Sequence, residues 1–210
     1  MKNKILVLAR LLLGFAFCAS STVIMLNSNL GLSPWDVFHQ GISKLTGITI
    51  GEASIIVSVI LVIIGWMLGQ KIGVGTILNM IVIGKLIDVI MELNIIPTAT
   101  NVISGIIMMI ISMLVMGFGC YLYIGCSLGC GPRDGVMMGL SKKVNKPIKY
   151  IRASIEITVL ILGYILGGDL GFGTLISAIG LGYSMQSMFK LLKFDAIKVN
   201  HKSLVDSISF

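Results

Sequence analysis

Charge is scarce in this chain. Asp, Glu, Lys and Arg make up only 12% of its 210 residues, about half of what a soluble domain carries, so there is too little polar surface to coat a water-soluble globule. Acidic residues are the scarcer kind, 9 against 16 basic. The resulting charge of +7 does not point to nucleic acid, because the basic residues sit between long apolar runs. Cysteine and histidine are equally sparse. Cys18 and Cys120 fall inside apolar runs and Cys126 and Cys130 near the end of one. None forms a CxxC pair, and His39 and His201 are remote from them in sequence. They read as small packing residues in a reducing compartment, not as a metal or redox site, and no cofactor is expected.

What is abundant is hydrocarbon: 56% of residues are hydrophobic and the mean hydropathy is +1.00. A helix needs about 20 mainly apolar residues to cross a bilayer, and six runs qualify: 5–26, 50–68, 74–95, 102–124, 150–166 and 172–191. The last is the least apolar, with Ser177, Ser184, Gln186 and Ser187 marking a face turned toward protein. Lys2 and Lys4 precede a run too long for a signal peptide, and no clean cleavage site follows, so the first run is expected to stay as a span. With the N-terminus inside, every Lys and Arg except Lys44 and Lys85 falls on the inner side, and the outer connections at 96–101 and 167–171 hold none. By the positive-inside rule both termini are expected to face the cytoplasm. The basic segment 142–149 and the tail lysines 190, 193, 198 and 202 suit anionic lipid head groups.

The chain also matches itself, without gaps, at an offset of 98 positions. GLSPWD at 31–36 lies over GCGPRD at 129–134, and GISK at 41–44 over GLSK at 139–142. Gly65, Gly69 and GVGT at 73–76 lie over Gly163, Gly167 and GFGT at 171–174, and Gly84 meets Gly182. Each copy holds three spans. An odd number reverses direction, so the fold class expected is an all-α membrane protein of six helices in two inverted three-helix repeats. The repeats are 1–95 and 102–192, with an outer linker at 96–101 and a cytoplasmic tail at 193–210. Opposed repeats are common in secondary transporters, where exchanging the conformations of similar halves alternates access.

GLSPWDVFHQGIS, GVGT, GCGPRDGVMMGLS and GFGT resemble the motifs of the YczE/YitT-type bacterial membrane proteins, in particular their short YczE-like branch. The resemblance covers nearly the whole chain, and its most specific element is GPRDG. YitT-type relatives carry an additional soluble C-terminal domain, for which the tail here is too short. The resemblance implies a multi-pass bacterial membrane protein and carries over neither substrate nor catalytic residues.

Within the motifs, Ser33 suits a helix N-cap, Pro34 the first helical position, and Asp36 the place from which a carboxylate reaches free N–H groups. Gly131, Pro132 and Asp134 repeat this with glycine at the cap. Short helices are therefore expected at 34–45 and 132–143. Two readings stand side by side. Each motif caps a surface helix, or the two breaks lie at membrane depth, where unpaired backbone must face protein or a watery cavity and two helix N-termini concentrate positive charge that an anion or polar head group can use. Arg133 replaces Trp35 in the second copy and can either pair with a carboxylate or phosphate or serve as a cytoplasmic charge.

An unpaired ionisable side chain in hydrocarbon costs at least about 2.5–3.5 kcal/mol. Arg152 and Glu156 are spaced to pair on the fifth span and Lys85 and Asp88 on the third. Lys85 and Glu156 are expected to face a cavity. Glycines 65, 69 and 73, and 163, 167 and 171, read as small helix faces for close packing. There is no HExxH. The one GxSxG, at 125–129 around Ser127, follows a membrane span where a nucleophile elbow needs a strand, and Asp36 and His39 lie on the opposite side, so no enzyme is expected. The reading is a small-solute transporter with binding or coupling residues Trp35, Asp36, Lys85, Arg133, Asp134, Arg152 and Glu156. The alternative is an accessory scaffold for a partner system. A homo-oligomer is compatible with either.

Overall fold

The structure, a computed structural model, describes residues 2–146, 148–194 and 199. The predicted tail positions Lys198 and Lys202, His201 and Pro147 of the basic linker lie outside the described residues. Among those described there are eight helices and no strand: α1 (Lys2–Asn27), α2 (Pro34–Thr46), α3 (Ile50–Met67), α4 (Val74–Leu93), α5 (Val102–Ile124), α6 (Pro132–Val144), α7 (Ile148–Ile165) and α8 (Phe172–Leu191). The two short helices begin at the expected prolines. Four helices, α1, α3, α4 and α5, are long and apolar enough to cross a membrane. The sequence called for six. Helices form at the fifth and sixth expected positions, but Lys149, Arg152 and Glu156 in α7, and Ser177, Ser184, Gln186 and Ser187 in α8, dilute their hydropathy.

The bundle is aliphatic outside and holds hydroxyl side chains among its apolar core clusters. Ser21, Thr22, Ser54, Ser58, Ser112, Thr174 and Ser177 are buried, while Ile56, Ile60, Ile107, Ile110, Ile157, Ile161, Leu175 and Ile179 are exposed. A protein solvated by water could not leave so much aliphatic surface uncovered; one solvated by lipid packs through small and hydroxyl-bearing residues instead. The α1–α5 contact is of that kind. The Ser21 hydroxyl donates to the Ser112 carbonyl at 2.7 Å and the Ser112 hydroxyl to the Ser21 carbonyl at 2.9 Å. Farther along, Gly14 meets Gly119 backbone to backbone. Residues rising in number along α1 meet residues falling along α5, so the two helices run antiparallel.

Local geometry repeats at the offset of 98. Gly31 has φ 131° and Gly129 φ 133°, a region closed to side chains with a Cβ, which is why both motifs open on glycine. The long-range contacts are reciprocal. The Gly173 N–H donates to the Leu30 carbonyl at 2.7 Å, and the Gly75 N–H to the Leu128 carbonyl at 2.7 Å. Helix α2 packs on α7, and its counterpart α6 packs on α3; α1 packs on α4, and α5 on α8. Each short helix thus lies against the other half of the chain.

The glycine pattern needs correction. Only Gly65 and Gly163 lie in helices. Gly69 and Gly167 are turn residues with φ 78° and 90°, and Gly73 and Gly171 are the N-caps of α4 and α8. Their four-residue spacing reflects a repeated helix–turn–helix corner, because α3 and α7 end before the second glycine of each series.

Candidate functional site

The two proline-started helices meet. Ser33, Pro34, Trp35 and Asp36 from one motif and Gly131, Pro132, Arg133 and Asp134 from the other line a single cavity of about 170 Å³. Ser33, Trp35 and Asp36 are each only 6% exposed, and Pro132 is buried with them. These motifs are not caps of surface helices. Arg152 and Glu156 of α7 reach the same space, and so do Ser54, Ser58, Asn79 and Tyr123.

Local chemistry sets each group. The Ser33 side chain caps α2, accepting from the Asp36 N–H at 3.3 Å and donating its own proton to Asp36 Oδ2 at 2.5 Å. Asp36 therefore serves the cap through the serine hydroxyl and keeps Oδ1 free of that bond. Gly131 caps α6 without a side chain, and Asp134 turns instead toward the Tyr123 hydroxyl, 3.5 Å away. The Arg133 guanidinium carbon lies 4.8 Å from the centroid of the Trp35 ring, the geometry of a cation–π contact. Asp36, Asp134 and Glu156 all lie within its electrostatic reach. Arg152 Nε donates to Glu156 Oε1 at 2.9 Å, so the expected pair forms, and it forms at the cavity. The lining holds three carboxylates and two guanidiniums. Two helix N-termini, each worth roughly half a positive charge, bring that balance close to neutral.

Lys85 does not belong to this site. It is exposed on the outer face of α4, away from the cavity, and among the described residues it forms no ion pair with Asp88. The Asp88 carboxylate instead accepts from the Thr49 hydroxyl at 2.7 Å and from the Gly51 N–H at 2.8 Å. The amide-rich start of α3 holds a carboxylate better than a flexible ammonium one turn away.

Sequence reasoning did not place His39 behind the lining, where it is 1% exposed, one turn along α2 from Asp36 and with its ring centroid 6.5 Å from that of Trp35. The three-residue spacing from Asp36 was its signal. Tyr123, Asn79, Ser54 and Ser58 carried none, because no motif links them to either proline.

The model of a family of unknown function, DUF6198, matches residues 5–190. An uncharacterized protein of Haemophilus influenzae is 38% identical over 165 residues, covering 79% of this chain and 75% of that one. The uncharacterized membrane protein YczE of Bacillus subtilis is 32% identical over 170 residues, covering 79% and 78%. Similarity to YczE therefore extends well beyond the motifs. A further uncharacterized B. subtilis protein, YyaS, is 27% identical over 177 residues. No solved structure matches.

Proposed function

This chain belongs to the DUF6198 family, and we propose that it carries a small polar solute across the bacterial inner membrane by alternating access between two inverted halves. The observation that carries the reading is the cavity itself: a space between apolar helices where the two motifs meet, lined by a nearly balanced set of charges as well as by apolar side chains. A scaffold kept only for packing gains nothing from gathering three carboxylates and two guanidiniums around one cavity, because such charges are costly in hydrocarbon. The volume, about 170 Å³, lies below the roughly 300–1,000 Å³ of drug-sized pockets and suits a compact solute. Reciprocal contacts at the 98-residue offset give the halves two equivalent ways to pack, as alternating access requires.

In this reading α7 and α8 also cross the bilayer, making six spans. Their exposed faces carry Ile157, Ile161, Leu175 and Ile179, while Arg152, Glu156 and Ser177 line the cavity. Connector contacts fit the arrangement. Lys44 Nζ lies 2.8 Å from Asp169, joining the end of α2 to the connection between α7 and α8, and the Asn27 amide donates to the Ile96 carbonyl at 2.7 Å, joining the end of α1 to that between α4 and α5. All four positions fall on the outer side when both termini are cytoplasmic. Inner basic residues then meet anionic lipid heads. No catalytic step is assigned.

The test is a screen of amino acids, small organic acids, amines and sugars for binding to the reconstituted protein and uptake into proteoliposomes. The reading expects saturable uptake of one class, impaired in D36N and D134N with membrane insertion preserved. Failure to bind or move any solute, with a stoichiometric partner co-purifying, would replace it with the scaffold role.

A further inference from the structure

One carboxylate of the cavity lining, Asp36, is backed by a buried histidine that the other half lacks. Position 39 is histidine in α2, and its counterpart in α6 is Met137, buried at 5% exposure and lining the cavity. His39 Nδ1 lies 3.8 Å from Asp36 Oδ1, close enough for a charge contact and too far for a hydrogen bond. His39 Nε2 is buried and has no hydrogen-bond partner among the described residues. A core histidine kept for packing normally has its polar atoms paired.

We propose that His39 and Asp36 form a proton-binding site of the cavity, through which solute movement is coupled to protons. The coupling role rests on the transport reading above; the proton site does not. In the tautomer that carries its hydrogen on Nε2, neutral His39 can accept a proton at Nδ1, 3.8 Å from the carboxylate. A proton arriving in cavity water reaches the Asp36 carboxylate and passes to Nδ1, leaving an imidazolium facing a carboxylate and closing the pair to hydrogen-bond distance. Release runs the same step backward. The pair gains one proton and one positive charge, going from −1 to 0, and titrates as a unit.

The surroundings are set to feel that change. From α6, Arg133 acts electrostatically on both His39 and Asp36 while resting on Trp35. Arg152 and Glu156 of α7 line the same cavity. Helix α3 contributes the uncharged Ser54 and Ser58, its Glu52 being engaged at the Thr49 cap, and α8 contributes Ser177. A pair at −1 holds Arg133 near Asp36. A neutral pair weakens that hold and frees the contact between the two motifs to change.

The experiment uses the full chain in nanodiscs. Trp35 and Trp66 are its two tryptophans, so W66F leaves Trp35 as the sole reporter, read by its fluorescence and its quenching by acrylamide. A single-proton transition between about pH 5 and 8, where histidine charge changes occur, is expected in W66F and lost in W66F with H39M, which installs the residue of the other half. A pH-independent Trp35, or a transition unchanged by H39M, overturns the site. Should H39M fail to fold, ¹⁵N-histidine spectra of H201Q, in which His39 is the only histidine, must titrate and must shift in D36N; a ring that does not titrate overturns the site equally. No transported solute is needed, so failure here leaves the transport reading standing, and an empty solute screen leaves the proton site standing.

Discussion

Arg133 and Trp35 occupy the same position in two copies of one motif, and in the folded protein the guanidinium of the first rests on the ring of the second, 4.8 Å from its centroid. The two copies of the motif therefore meet at their equivalent positions. The pair is also chemically unequal, giving the centre of an otherwise repeated structure one cation and one aromatic face.

Truncating either partner therefore acts at the junction. A W35L, R133M double-mutant cycle, read by unfolding in nanodiscs, is expected to give a coupling energy of about 0.5–2 kcal/mol, the range of a cation–π contact between partly and fully desolvated sites. R133M alone should cost more than W35L, because it leaves Asp36 and Asp134 without their common counter-charge.

Close backbone approach makes two glycines irreplaceable and leaves a third free. A Cβ at Gly73 would strike the Leu128 carbonyl and one at Gly171 the Leu30 carbonyl, whereas a Cβ at Gly182 meets nothing within 4 Å. Thermal unfolding should show G73A and G171A each losing about 1–3 kcal/mol or more, as overpacking does. G182A should be neutral or gain up to about 1 kcal/mol, the helix-propensity difference between alanine and glycine.

Lys85 presents a charge beside Ile81 and Val89 on the exposed face of α4 and takes no part in the cavity. K85L is expected to raise stability in lipid, by at most about 2.5–3.5 kcal/mol, and to leave solute binding by the reconstituted protein unchanged. Loss of binding in K85L would move the site away from the cavity.

Topology is tested at Lys44 and Lys142, equivalent positions near the ends of α2 and α6. In right-side-out vesicles from a background without native cysteines, a membrane-impermeant maleimide should modify K44C from outside and K142C only after the vesicles are opened. Labelling of both from one side would remove the inverted arrangement. The Lys44–Asp169 pair itself is solvent-exposed, and K44C should cost under about 1 kcal/mol.

Much of this protein is local and was legible in the chain. Hydropathy placed α5 at 102–124 and α8 at 172–191, and the Ser33-Pro34 and Gly131-Pro132 caps placed the starts of α2 and α6, where the structure has them, because helix ends depend on neighbouring residues. The 98-residue match likewise foretold which backbone angles recur. Rotation about each helix axis was not legible. A soluble helix shows its buried side by a polar stripe opposite, but α3, α4 and α5 are apolar nearly all round, so their sequences do not say which residues face inward. Packing alone turned Tyr123 and Ser54 to the cavity and Lys85 away from it, drew Asp88 to the start of α3, and brought Arg133 onto Trp35. In lipid the hydrophobic effect no longer distinguishes the two sides of a helix, and the choice passes to close glycine contacts, hydroxyl hydrogen bonds and the pairing of a few buried charges.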